Sequence, residues 1–187
     1  MPKQRLRQAI LALRKNLSGA EVRASSLMVQ KEFIASAEFA RAKVLALYAP
    51  IYNEVDTAEV FAAALAASKV VLYPAVCGDG LVFRRVCGPG GLRKGAFGIL
   101  EPASSCEVYG PQGADIVVIP GVVFDVDGKR IGYGKGYYDK ALHCLEGMGK
   151  LVGFCYDFQV VDDITNEPHD VRMDLLITEK RVIRPRD

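Results

Sequence analysis

Four short apolar runs set the limits on how this chain can fold: VLALYAP at residues 44–50, VVLYPAV at 70–76, DIVVIP at 115–120 and LVGFCY at 151–156. Each is continuous where a strand with one wet face would alternate, and each is too short for a typical helix. They read as strands buried on both faces. The helical stretch TAEVFAAALAAS at 57–68 separates the first two and makes them a β-α-β unit. LVFRRV at 81–86 and DLLIT at 174–178 are further strand candidates, and a helix is expected from near Gly136 towards Glu146. The expected fold class is α/β, a three-layer α/β/α sandwich around a mainly parallel sheet. Ahead of it, Leu6, Ile10, Leu13 and Leu17 recur at helical spacing, with Lys3, Arg7 and Arg14 on another stripe. Ser18 and Glu21 then have the spacing of a capping box, which predicts a second helix from about Gly19 to the mid-30s.

A chain of 187 residues, half hydrophobic and a quarter charged, can bury a sizeable core, and one domain over residues 1–187 is expected. The 24 Lys and Arg nearly balance 22 Asp and Glu, so no bulk field favours nucleic acid or a membrane, and any anion site must be local. The apolar residues after Met1 are interrupted by Lys3, Arg5, Arg7, Arg14 and Lys15, unlike a signal peptide, and no apolar run reaches bilayer length. A cytoplasmic, monomeric protein acting on small molecules is expected, with neither nucleic acid nor membrane as partner. Cys77, Cys87, Cys106, Cys144 and Cys155 stand singly, and His143 and His169 have no motif-spaced partner. A disulfide framework, a zinc site and a histidine-based metal site are therefore not expected.

In open α/β sheets ligands collect beyond the carboxyl ends of the strands, which directs attention to three loops. They are APIYNEVDT at 49–57, GVVFDVDGKRIGYGKGYYD at 121–139 and NEPHDVRMD at 166–174. The second matches neither familiar phosphate loop: a P-loop lysine at Lys135 would need Ser or Thr where Gly136 stands, and a dinucleotide fingerprint would need glycine where Tyr137 stands. The mechanism behind both motifs survives, because glycine lets backbone N–H groups approach an anion and a following helix turns its positive end there. Arg130 and Lys135 bracket Gly132 and Gly134, as a polyphosphate cradle requires; a surface turn with solvated charges reads the same way. Tyr137 and Tyr138 suit a pocket wall or the core. Asp139 suits a magnesium ion or the helix dipole, and Asp174 is a second carboxylate of the kind magnesium uses. Asp56 or Thr57 reads as the N-cap of the next helix, or Glu54 and Asp56 as carboxylates accepting two parallel N–H bonds from an aminopyrimidinone edge. Glu101 and Pro102, in GILEP, read as a pocket wall or a plain turn.

KQRLR, APIYNEVDT, GILEP, IPGVVFDVDGKRIGYGKGYYDK and PHDVRMDLLITEK, in that order, resemble the 5-formyltetrahydrofolate cyclo-ligase family, also called methenyltetrahydrofolate synthetases, over essentially the whole chain. The resemblance implies a fold of the ribose-phosphate isomerase and CoA-transferase type. It implies ATP- and magnesium-dependent cyclisation of 5-formyltetrahydrofolate to 5,10-methenyltetrahydrofolate with release of ADP and phosphate, by phosphorylation of the formyl oxygen and attack by N10. It further implies ATP contacts from Lys3, Gln4, Arg5, Leu6, Arg7, Arg130, Ile131, Gly132, Tyr133, Gly134, Lys135, Gly136, Tyr137 and Tyr138. Folate contacts would come from Ile51, Glu54, Asp56, Tyr133, Gly134, Lys135, Gly136 and Tyr137, and magnesium from Asp139 and Asp174, with Arg130 and Lys135 neutralising charge during catalysis. Some relatives carry glutamate at the position of Asp56, which leaves the pterin contact to Asp56 or Glu54, and the position of Tyr133 varies among them.

Overall fold

The apolar runs become the interior of one large sheet. The structure, a computed structural model, describes residues 3–78, 80–95, 98–110, 113–134, 136–143, 149–165 and 171–185, with the side chains of residues 139, 142 and 143 outside that description. In chain order the elements are α1 (Lys3–Lys15), α2 (Gly19–Ile34), α3 (Ala37–Arg41), β1 (Val44–Ala46), α4 (Ala58–Ala66), β2 (Val70–Cys77) and β3 (Gly80–Arg85). There follow β4 (Leu92–Lys94), β5 (Leu100–Pro102), β6 (Val108–Tyr109), β7 (Ile116–Ile119), β8 (Val123–Asp125), β9 (Arg130–Ile131) and α5 (Tyr137–His143). The last are β10 (Lys150–Phe154), β11 (Val160–Val161), β12 (Leu175–Ile177) and β13 (Val182–Ile183). The main sheet has the order β13-β12-β10-β7-β1-β2-β3-β6. Its five central strands are parallel, while β13, β3 and β6 close the edges antiparallel.

The continuous runs are explained by what covers the two faces. Leu45, Val71, Tyr73, Ile116, Val118, Val152, Phe154, Leu175 and Ile177 pack against Val29, Phe33, Phe39, Val60 and Phe61 of α2, α3 and α4. The residues between them, Ala46, Leu72, Val117, Ile119, Leu151 and Leu176, meet Phe124 and Met173 on the opposite side, where Tyr138 of α5 also packs. With a side-chain period of two, both phases must be apolar when both faces are covered. The second face is shared between α5 and a small sheet of order β11-β8-β9, and α1 docks on that small sheet through Ile10, against Val122, Val123 and Ile131.

The capping box forms as the spacing predicts: the Ser18 hydroxyl accepts from the Glu21 amide at 3.2 Å, and the Glu21 carboxylate accepts from the Ser18 amide at 2.8 Å. The face of α1 differs from the simple apolar stripe. Leu13 is 53% exposed, whereas Arg14 is 1% exposed. Arg14 follows Ile10 by four residues and precedes Leu17 by three, so it shares their buried face. Its charge is tolerated there because loop carbonyls meet it.

Candidate active site

From β1 the chain passes through α4 to β2 on one side, whereas from β7 the sheet grows through β10 to β12 on the other. β1 and β7 are therefore neighbours whose following loops diverge, the topological switch point at which open α/β sheets hold ligands. A cavity of about 290 Å³ opens there. The loop after β1 lines it with Tyr48, Ala49, Ile51, Tyr52 and Glu54, and the segment after β7 with Pro120, Arg130, Gly132, Tyr133, Gly134 and Gly136. Tyr137 and Tyr138 close it from α5, and Pro74, Val76, Leu81, Ile99, Leu100 and Glu101 form the far wall.

The first loop is held by a tight turn. Ile51 O accepts from the Glu54 amide at 2.9 Å, and the two residues between, Tyr52 and Asn53, both have positive φ, 47° and 59°. Asn53 suits that region and uses its side chain as well: Nδ2 donates to Arg14 O and Leu17 O at the end of α1, at 3.1 and 3.2 Å. The turn delivers Glu54 into the cavity wall, 5% exposed. Its Oε2 accepts the Ile51 amide at 2.9 Å, while Oε1 is buried with no hydrogen-bond partner. Burial pushes the Glu54 carboxyl up to about 7, against the opposing pull of the Ile51 amide and Arg14.

The second segment is shaped by glycine where backbone geometry requires it. Gly134 and Gly136 have φ of 94° and 72°, which leaves the chain free to turn around the cavity mouth. Arg7 reaches this loop from α1, its Nε donating to Gly132 O at 2.9 Å. Arg130 is 8% exposed; it donates to Pro120 O at 3.3 Å and lies 6.0 Å from the Tyr138 ring centroid. Burial raises the Tyr133 and Tyr138 phenols, so both remain neutral and able to donate.

The structure thus brings together Arg7, Arg130, Gly132, Tyr133, Gly134, Gly136, Tyr137, Tyr138, Ile51 and Glu54 of the predicted residues. Glu101 joins them in the wall. Lys135 lies outside the described residues, as does the side chain of Asp139. Asp56 is placed elsewhere: its Oδ1 accepts the amides of Thr57 and Ala58 at 2.6 and 2.9 Å, so the carboxylate caps α4. Asp174 sits at the amino end of β12, its Oδ2 accepting the Leu151 amide at 2.7 Å, whereas the cavity lies at the carboxyl ends. Asp174 thus sits at the opposite end of its strand from the cavity, and the partner expected for it at magnesium, the Asp139 side chain, lies outside the described residues. Three other carboxylates, Asp125, Asp127 and Asp163, do cluster, but around the Lys129 ammonium, which is 2.7 Å from Asp163 Oδ1 and 3.4 Å from Asp125 Oδ2. Lys3 is half-buried and Gln4 and Arg5 are exposed. Sequence reasoning missed Arg14, which reads as one more charge on a solvated stripe. The available signal was its spacing from Ile10 and Leu17.

Fold and site define an α/β protein with a cavity at the sheet's switch point, between a carboxylate loop and a glycine loop carrying a buried arginine. The family model of the 5-formyltetrahydrofolate cyclo-ligases matches residues 1–179, and the chain belongs to that family. It is 30% identical to the 5-formyltetrahydrofolate cyclo-ligase of Mycolicibacterium smegmatis, over 97% of this chain and 95% of that one. The NMR structure of Aquifex aeolicus 5,10-methenyltetrahydrofolate synthetase superposes with a TM-score of 0.90 at 41% identity, covering 100% of this chain and 94% of the other. The corresponding synthetase of Mycoplasma pneumoniae gives a TM-score of 0.80 at 30% identity, covering 96% of this chain and 99% of that one.

Proposed function

We propose that this chain is an ATP-dependent ligase that closes 5-formyltetrahydrofolate to 5,10-methenyltetrahydrofolate, releasing ADP and phosphate. The observation that carries the reading is the meeting of Glu54 with the Arg130 and glycine segment around one cavity at the switch point. Family membership supplies the substrate class.

In this reading the aminopyrimidinone edge of the pterin donates to Glu54, whose Oε1 has no hydrogen-bond partner and whose Oε2 holds only the Ile51 amide. Ile51, Tyr133 and Tyr137 border the ring. The triphosphate lies along Gly132, Gly134 and Gly136, with Arg7 at one side and Arg130 beneath. Lys3, Gln4, Arg5, Leu6, Ile131, Lys135 and Tyr138 complete its expected neighbourhood. A formamide carbon is a poor electrophile, because the nitrogen lone pair is delocalised into the carbonyl. Attack of the formyl oxygen on the γ-phosphate expels ADP and makes that oxygen a leaving group. N10 then closes on the formyl carbon and gives up its proton, and phosphate departs as the five-membered ring becomes methenyl. Transfer of this kind depends on alignment and neutralised charge, which Arg130 and Lys135 supply, rather than on a side-chain nucleophile.

The same reading takes residues 1–187 as one cyclo-ligase domain, acting as a monomer in the cytoplasm on small molecules. Among the described residues no helix is long and apolar enough to cross a membrane. Incubation with ATP, magnesium and 5-formyltetrahydrofolate should produce methenyltetrahydrofolate absorbance together with ADP. Arg130→Ala should lower turnover by about 100-fold or more, the scale of losing a preorganised charge at a transition state. Absorbance that develops without ATP, or no absorbance at high enzyme concentration, refutes the assignment.

A further inference from the structure

Arg14 is 1% exposed, and its guanidinium reaches three separate parts of the chain. Nε donates to Tyr52 O in the first loop at 3.1 Å, and Nη1 donates to Gly121 O after β7 at 3.1 Å. Nη2 donates to the Tyr133 hydroxyl in the glycine loop and stands 4.0 Å from Glu54 Oε1. The guanidinium carbon is 5.4 Å from the Tyr133 ring centroid, and that ring in turn meets Tyr52 edge to face at 6.2 Å. One side chain thus spans both walls of the cavity from behind.

The planar fork of arginine fixes its acceptors relative to one another in a way that a lysine ammonium does not. Because the Tyr133 oxygen accepts from Arg14, the phenol proton points away from the guanidinium. Glu54 is faced by Arg14 from α1, Tyr133 from the glycine loop, Tyr138 from α5, Tyr156 from the segment after β10, and Tyr48 from its own loop. Of these, Arg14 alone is a cation.

We propose that Arg14 is a positioning residue for folate recognition, opposing the burial that disfavours the Glu54 carboxylate and setting the spacing between Glu54 and Tyr133 across the cavity. The inference rests on the reading of Glu54 as the pterin-binding carboxylate. Arg14 is not among the residues that line the cavity and acts through Glu54 and Tyr133, which do. Its influence is felt in folate affinity and in the pH at which the site accepts folate, while the phosphate side of the cavity, held by Arg7 and Arg130, is left intact.

The test is steady-state kinetics of Arg14→Gln, Arg14→Lys, Tyr133→Phe and Glu54→Gln, with 5-formyltetrahydrofolate and ATP varied separately from pH 5.5 to 9. Arg14→Gln should raise KM for the folate at least ten-fold while KM for ATP and kcat stay within about three-fold. The acid limb of kcat/KM for folate should move to higher pH, since Glu54 loses the charge that opposes its burial. Arg14→Lys should restore the acid limb while keeping a KM several-fold above wild type, because charge returns without the fork. Tyr133→Phe should raise folate KM several-fold. A folded Arg14→Gln with unaltered folate KM and acid limb, or one that weakens folate and ATP alike, overturns the proposal. If Arg14→Gln does not fold, Arg14→Lys decides: a wild-type folate KM overturns it. Glu54→Gln separates the two readings. An unchanged folate KM there defeats the pterin assignment itself, whereas a raised KM there with none in the Arg14 variants defeats only the role given to Arg14.

Discussion

Glu54 occupies a place where an ionised carboxylate is costly: burial is the largest influence on it and Oε1 has no hydrogen-bond partner. Its carboxyl is raised from 4.5 to about 7. Between those values the folded chain keeps a proton that the unfolded chain has released, so the stability Glu54 contributes is fully present below pH 4.5 and is lost as pH rises through 7. At about 1.4 kcal/mol per unit the loss approaches roughly 3 kcal/mol. Glu54→Gln cannot titrate and should lack this component. Urea unfolding of both proteins at pH 5 and pH 8 measures it, with the variant gaining on wild type at the higher pH; equal differences at the two values would mean that Glu54 titrates as an ordinary surface carboxylate. Legibility at this scale was uneven. NEVDT showed two carboxylates with two uses, and only the fold distributes them, Asp56 capping α4 and Glu54 entering the cavity. Arg14 was not legible as a site residue, because periodicity assigns faces by polarity and the partners of Arg14 are two carbonyls and a phenol hydroxyl 38, 107 and 119 positions away in sequence.

The elements were the more legible level, and for a stated reason: two covered faces force continuous apolar strands, and continuous strands are visible in one dimension. What the pattern could not supply was the identity of the second cover. A parallel sheet with helices on both sides would give the same runs, yet here much of one face is covered by the β8–β9 hairpin through Phe124. That hairpin approaches closely at Gly153 in the middle of β10. A Cβ there would lie 2.8 Å from Phe124 Cε1 and 2.6 Å from Leu176 Cδ2, well inside normal contact. Gly153→Ala should therefore cost about 1–3 kcal/mol through overpacking, despite the better strand propensity of alanine. Because the hairpin leads into Arg130 and the glycine segment, the same substitution should raise KM for ATP. Denaturant midpoints and ATP titration test both parts. A variant as stable as wild type would show that the hairpin can lift without loss.

At the scale of the whole molecule, the sheet supplies a floor and a far wall, α5 closes one side, and the remaining parts of the site come from the loop after β1 and the segment after β7, with α1 behind them. The two loops follow from the strand order. The placement of α1 does not, since the helix packs on the small sheet and meets the cavity loops by way of Arg7, Arg14 and the Asn53 contact at its C-terminal end. A ligand that orders the two loops must then also order α1, although α1 lies outside the main sheet. Hydrogen exchange with 5-formyltetrahydrofolate and a non-hydrolysable ATP analogue at about 100 times Kd offers up to about 2.7 kcal/mol of added protection. The amides of residues 10–15 should slow together with those of residues 51–54 and 130–134. The exposed turn around Leu27 and Met28 of α2, which has no part in the cavity, should keep its local opening rate. Protection confined to the two loops would mean that α1 is moored by Ile10 and the small sheet alone, and that its arginines follow the site without holding it.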